Sequence, residues 1–158
     1  MKDTEFCNIF ESFGQPIYRL CVARTGDVEL AHDITQQVFL LLYKKKPNFA
    51  DAAALRVWLI RCAVKLIANE QKRAENRRTE PLSAVGEIKA KNDSAEFELF
   101  DLCHSLPESL RDVTVLYYIE DMPVGDVARA LSISTSAVKS RLLRARKLLS
   151  KIYKEEIL

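Results

Sequence analysis

Apolar residues recur along most of this chain at the spacing of a helix face, and no segment sustains the strict apolar–polar alternation of a half-buried strand. The pattern predicts an all-α protein. A first helix starts at about Asp3, is disturbed at "GQP" (Gly14 to Pro16), resumes, and ends at "TGD", where Gly26 suits a helix C-terminus and Asp27 the next N-cap. A second runs to the lysine cluster before Pro47. The segment "PNFADAAAL", Pro47 to Leu55, reads as a loop, and a third helix follows from near Leu55 to about Arg78. The proline, glycine and small polar residues of "TEPLSAVGEIKAKNDSAEF" predict a flexible linker from about Thr79 to Ala95. Leu99, Leu102, Cys103 and Leu106 then return to helical spacing. "LPESL" restarts a helix at Pro107, "DMPVGDVARAL" starts another that ends at Leu131, and a tight polar turn leads into a last, longer helix from near Ser134. Short helix, turn and long helix make a helix-turn-helix layout.

The faces of three helices carry more than a fold. On the last one, Val138, Leu142, Ala145, Leu149 and Ile152 form one narrow apolar stripe, which must pack inward. Ser136, Ser140, Leu143, Arg144, Lys147 and Lys151 cluster opposite, with Lys139 on the flank, and six basic residues fall between Lys139 and Lys151 without one acid. Three explanations compete: a solvated face, a membrane-surface helix, or a phosphate-gripping surface. A solvated face ordinarily mixes Glu with Lys at i,i+4, and the stripe is too narrow to serve both a core and a bilayer. The acid-free face therefore favours an external anion. Ser near the start lets a backbone approach a groove, Lys and Arg reach phosphates or guanine edges, and Leu143 can meet a thymine methyl.

On the third helix Trp58, Arg61, Lys65, Asn69, Lys72 and Asn76 share one side, beside an apolar stripe of Leu55, Leu59, Cys62 and Leu66. An aromatic platform followed by cations and amides suits single-stranded or distorted DNA, although a core role for Trp58 is as compatible with its position. On the second helix Ala31, Ile34, Val38, Leu41 and Leu42 face one way. Asp33, Gln36, Gln37, Leu40 and Lys44 face another, a mixture that suits protein docking as well as plain solvation.

Composition narrows the class. With 158 residues, 48% hydrophobic and 29% charged, the chain is expected to fold as one compact domain or two small ones. It holds no apolar run approaching the roughly 20 residues of a membrane span, and "MKDTEFCNIF" does not read as a leader, so a cytoplasmic location without membrane insertion is expected. Cys7, Cys21, Cys62 and Cys103 are far apart and accompanied only by His32 and His104, which gives no metal-ligand spacing. We expect reduced, mostly buried thiols and no cofactor. Two isolated histidines, no phosphate-cradling glycine loop and no paired acids on one face argue against an enzyme. Net charge is only +2, yet it is unevenly spread. Residues 1–78 carry 13 Lys/Arg against 9 Asp/Glu, 79–110 carry 2 against 7, and 111–158 carry 9 against 6, so two basic blocks flank an acidic connector.

"AHDITQQVFLLLYKK", then "RVWLIRCAVKLIANEQKR", then "LPESLRDVTVLYYIEDMPVGDVARALSISTSAVKSRLLRARKLL", resembles a bacterial extracytoplasmic-function sigma factor of the sigma-70 class over nearly the whole chain and in the right order. The resemblance implies a sigma region 2 domain at 1–78, a linker at 79–95 and a sigma region 4 domain at 96–158. It implies a subunit that binds the clamp and flap elements of core RNA polymerase and directs it to promoter DNA, often restrained by an anti-sigma factor. By that likeness Asp33, Gln36, Gln37 and Leu40 dock on the polymerase. Asn48 and Phe49, in the loop before the third helix, with Trp58, Arg61, Lys65, Asn69, Lys72 and Arg73, meet the opened minus-10 element. Thr135, Ser136, Lys139, Ser140, Leu143, Arg144 and Lys147 read the minus-35 element.

The sequence departs from the family pattern in places. The docking helix usually begins with two acids and has Glu after the Gln, where this chain has His32, Asp33, Gln36 and Gln37. Lys65 stands where Asn is common, and Pro123 replaces a Ser/Thr cap ahead of a helix that Gly125 weakens further. The alternative is a stand-alone helix-turn-helix regulator that binds duplex DNA without polymerase; such a protein has no reason to carry the Trp58 stripe.

Overall fold

The computed structural model describes residues 2–77, 101 and 103–157. Among the described residues every regular element is helical, as the periodicity predicts. The expected linker from Thr79 to Ala95, and Leu99 and Leu102, lie outside the described residues. The chain divides into two units, Met1–Lys89 and Ala90–Leu158.

In the first unit α1 (Asp3–Thr25), α2 (Val28–Lys45) and α3 (Ala52–Arg77) pack against one another in all three pairings. Helix α1 does not break at Gly14–Pro16 but runs through Pro16. Proline there removes the N–H that would bond the Ser12 carbonyl and its ring crowds that carbonyl, but Ser12 lies on the exposed side, where the carbonyl can tilt outward and take water. Ile17, Leu20 and Cys21, all at most 1% exposed, hold the second half of the helix in the core. The α1–α2 junction follows the sequence. Gly26 adopts the left-handed conformation (φ 68°, ψ 13°) and its N–H donates to the Val22 carbonyl, while the Asp27 side chain accepts from the Leu30 N–H at 3.1 Å.

Helix α2 ends at Lys45 and is capped by Lys46, also left-handed, and α3 starts at Ala52, three residues before the expected Leu55. The cause is an N-cap: the Asp51 carboxylate accepts from the Ala54 N–H at 2.8 Å. The buried side of α2 holds Ala31, Ile34, Val38 and Leu42, as expected, with Phe39 in addition, whereas the expected Leu41 is only half-buried. On α3 the core stripe is rotated from the expected one. Val57, Leu59, Ile60, Ala63 and Ile67 are buried with Leu55, whereas Cys62 and Leu66 are half-buried at its edge. The α3 apolar sector extends beyond the expected Leu55, Leu59, Cys62 and Leu66, because α1 and α2 both pack on it.

In the second unit α4 (Glu108–Thr114) passes directly into one π-helical turn, Val115–Ile119, which the sequence reading did not anticipate. Its closing bond runs from the Glu120 N–H to the Val115 carbonyl at 3.0 Å, five residues back. Arg111 folds back to donate to the Leu106 and His104 carbonyls, at 2.8 and 2.9 Å, and so satisfies acceptors of the turn that precedes α4. Helix α5 (Val124–Leu131) begins after Pro123, whose carbonyl accepts from the Asp126 and Val127 N–H groups without a side-chain cap. Helix α6 (Thr135–Ile157) packs on α4 and α5, with Val138, Leu142 and Ala145 at most 1% exposed and Leu149 against Leu106 and Leu110.

Two of the four thiols, Cys21 and Cys103, are fully buried, Cys62 is half-buried, and Cys7 is exposed, against the expectation that most are buried. No helix among the described residues is long and apolar enough to cross a membrane.

Candidate nucleic-acid interface

The turn before α6 aims that helix. Leu131 ends α5, Ser132 takes the left-handed conformation (φ 57°, ψ 44°), and the N–H groups of Ser132 and Ile133 both donate to the Ala128 carbonyl. Ser134 then caps α6 by accepting from the Ala137 N–H at 3.0 Å. With Val138, Leu142 and Ala145 fixed in the core, the opposite side is committed to solvent. Thr135, Ser136, Lys139, Ser140, Leu143, Arg144 and Lys147 are all exposed, Leu143 by 50%. From Thr135 to Lys154 there is no acid, so no ion pair within that stretch can neutralise the face. What results is a row of cations with short hydroxyl side chains at its leading end and one apolar contact among them, a surface fit for a phosphate-lined groove.

In the first unit, α3 presents Arg61, Lys65, Asn69, Lys72 and Arg73 exposed along one side, with Trp58 half-buried at their head. The loop before α3 brings Phe49 edge-on to Trp58, with ring centroids 5.8 Å apart and planes at 66°, and Asn48 exposed beside it. Trp58 therefore serves both readings of the sequence: part of it packs, part remains accessible. Burial pushes the Cys62 thiol up, and the charges of Lys45, Lys65 and Arg61 pull it the other way, which locates three positive groups around one point of the surface. Arg73 has an acidic neighbour, Glu70, 3.8 Å away one turn back, a weak pairing that leaves the arginine mostly exposed.

The exposed side of α2 carries Asp33, Gln36, Gln37 and Leu40, Leu40 being 52% exposed, and Tyr43 extends it as a further exposed aromatic. Tyr43 meets Phe6 of α1 edge-on at 5.3 Å, and His32 lies against Tyr18 at 4.5 Å. Sequence reasoning passed over Tyr43, Tyr118 and Arg146. The spacing of Tyr43 from Gln36 and Leu40 was signal enough. Tyr118 and Arg146 are 28 residues apart and meet only in the fold, where the Arg146 Nε donates to the Tyr118 hydroxyl at 2.5 Å.

Comparison with known proteins accounts for both units. The family model for sigma-70 region 2 matches residues 9–78, and that for sigma-70 region 4 matches residues 97–149. Among curated relatives, the chain is 29% identical to the ECF RNA polymerase sigma factor SigW of Bacillus subtilis, covering 92% of this chain and 87% of that one. It is 26% identical to the RNA polymerase sigma-H factor of Pseudomonas aeruginosa, covering 85% and 79%. Among solved structures, the sigma factor RpoE in complex with the anti-sigma factor NepR from Bartonella quintana shares the fold with a TM-score of 0.80 at 15% identity, over 95% of this chain and 97% of that one. CnrH in complex with the cytosolic domain of CnrY matches with a TM-score of 0.72 at 19% identity, over 98% and 90%. A region 2 unit ahead of the helix-turn-helix disfavours a stand-alone regulator, and the chain belongs to the sigma-70 family as an extracytoplasmic-function RNA polymerase sigma factor.

Proposed function

We propose that this sigma factor reads a bipartite promoter with two separate surfaces while a third, on α2, holds it to core polymerase. Thr135, Ser136, Lys139, Ser140, Leu143, Arg144 and Lys147 of α6 enter the major groove of the minus-35 element. Asn48, Phe49, Trp58, Arg61, Lys65, Asn69, Lys72 and Arg73 engage the minus-10 element as it opens. Unstacking a base costs a few kcal/mol, and an aromatic pair bordered by cations is the kind of site that offsets such a cost. The acid-free exposed face of α6 carries this reading, because unneutralised positive charge on a helix fixed by its opposite side has its counterpart outside the chain.

Asp33, Gln36, Gln37 and Leu40 dock on the polymerase clamp, and the region 4 unit contacts the flap. The mix of one exposed leucine with hydrogen-bonding side chains supports a non-obligate protein interface. The protein acts in the cytoplasm, without catalytic chemistry of its own and without a cofactor. One of the similar solved structures is a sigma factor in complex with an anti-sigma factor, and by that likeness an anti-sigma factor restrains this chain as well. Run-off transcription with purified core polymerase tests the whole reading. We expect comigration with core and promoter-dependent transcripts; failure of both on every host promoter would refute it.

A further inference from the structure

We propose that Tyr118 is a positioning residue for the DNA-binding surface: it holds Arg146 extended on the flank of α6 so that the free edge of its guanidinium meets a backbone phosphate. The proposal rests on the reading of α6 as the DNA-contacting helix. Arg146 is exposed, and at 100° per residue it lies on the same flank as Lys139, next to Leu143 and one turn further along. Its Nε donates to the Tyr118 hydroxyl at 2.5 Å, and its guanidinium carbon lies 6.0 Å from the centre of the Tyr118 ring. That bond occupies one of five donor hydrogens and leaves both terminal amino groups available for a two-pronged contact with a phosphate.

Tyr118 is itself 46% exposed, so burial does not explain why it meets Arg146. The π-helical turn does. Tyr118 sits within Val115–Ile119, where the wider winding changes the direction of each side chain relative to a continuous α-helix, and the adjacent Tyr117 ring supports it edge-on at 5.0 Å. An isolated arginine gives up much of its rotamer freedom when it settles on a phosphate. A tyrosine that has already restricted the side chain lowers that loss at the moment of binding.

The test uses holoenzyme and a duplex that the wild-type holoenzyme has selected from a randomised pool, with affinity measured across a salt series. Arg146→Ala is expected to weaken binding about tenfold and to reduce the salt slope by about 1, the signature of one lost phosphate contact. Tyr118→Phe, which keeps the ring and loses the hydroxyl, is expected to weaken binding about threefold with the slope unchanged. In the Arg146→Ala background Tyr118→Phe is expected to do nothing further, a result that loosened packing would not produce. An equal loss from Tyr118→Phe in both backgrounds, or full affinity in Arg146→Ala, would overturn the proposal. Arg144→Ala is the control. If it weakens binding while Arg146→Ala does not, only the Tyr118 inference fails; if neither matters, the reading of α6 fails with it.

Discussion

Two left-handed residues, one in each unit, give a prediction with opposite signs. Gly26 (φ 68°) and Ser132 (φ 57°) both follow the last turn of a helix and donate back into it. A side chain in this conformation costs about 1–2 kcal/mol, which glycine avoids at the expense of about 0.5–1 kcal/mol of extra freedom in the unfolded chain. Ser132→Gly should therefore stabilise the second unit by about 0.5–1 kcal/mol, since Ser132 is exposed and the bonds from residues 132 and 133 to the Ala128 carbonyl are made by backbone that glycine retains. Gly26→Ala should destabilise the first unit by about 1 kcal/mol or more, because Gly26 is also buried and a new Cβ must find room. For units of this size 1 kcal/mol corresponds to roughly 4–8 °C in Tm. The single tryptophan, Trp58, lies in the first unit. Its fluorescence follows that unit alone, whereas circular dichroism follows both. Gly26→Ala should lower the fluorescence transition, and Ser132→Gly should leave it in place while raising the remaining dichroism transition. A Ser132→Gly variant with unchanged or lower Tm would refute the strain argument.

Arg144→Ala should weaken minus-35 binding and lower the salt slope by about 1 at unchanged helicity; unchanged affinity in holoenzyme would show that Arg144 does not face DNA. Asp33→Lys combined with Gln37→Lys should sharply reduce comigration with core polymerase while leaving the dichroism spectrum intact, and normal assembly would remove α2 from the interface. Burial pushes the Cys103 thiol from 9.0 up to about 11, so the folded state favours the protonated form. The stability this contributes is complete below about pH 9 and is lost as pH rises toward about 11. Denaturant unfolding at about pH 8 and about pH 10.5 should therefore show a larger loss in wild type than in Cys103→Ala; equal losses would contradict the assignment.

The fold was legible wherever local chemistry decides it. Gly26 and Asp27 mark the α1–α2 junction by their own conformational and capping preferences, and the Val138–Leu142–Ala145 stripe fixes α6 by period alone. The chain was misread where tertiary packing overrides a local signal, as at Pro16, where the core holds the helix through a proline. It was also misread where a signal was present but passed over, as with Asp51, whose position ahead of three alanines makes it an N-cap. The exposed faces of α2, α3 and α6 could be read because each is the complement of a buried face. The Arg146–Tyr118 pair could not, since Arg146 lies on the margin between stripe and basic face and its partner comes from another helix.

The π-helical turn at Val115–Ile119 also has a genetic meaning. Such a turn is in effect a one-residue insertion that a helix has absorbed without breaking. Removing Tyr117, which leaves the buried Val115 and Leu116 in place, would restore regular winding at little cost to the backbone, yet would rotate Tyr118 by about a quarter-turn away from α6. A frame-preserving deletion here should therefore be tolerated for folding and penalised in promoter use. In comparisons among relatives, a one-codon gap at this point would mark a change in how the exposed face of α6 meets its neighbouring helix.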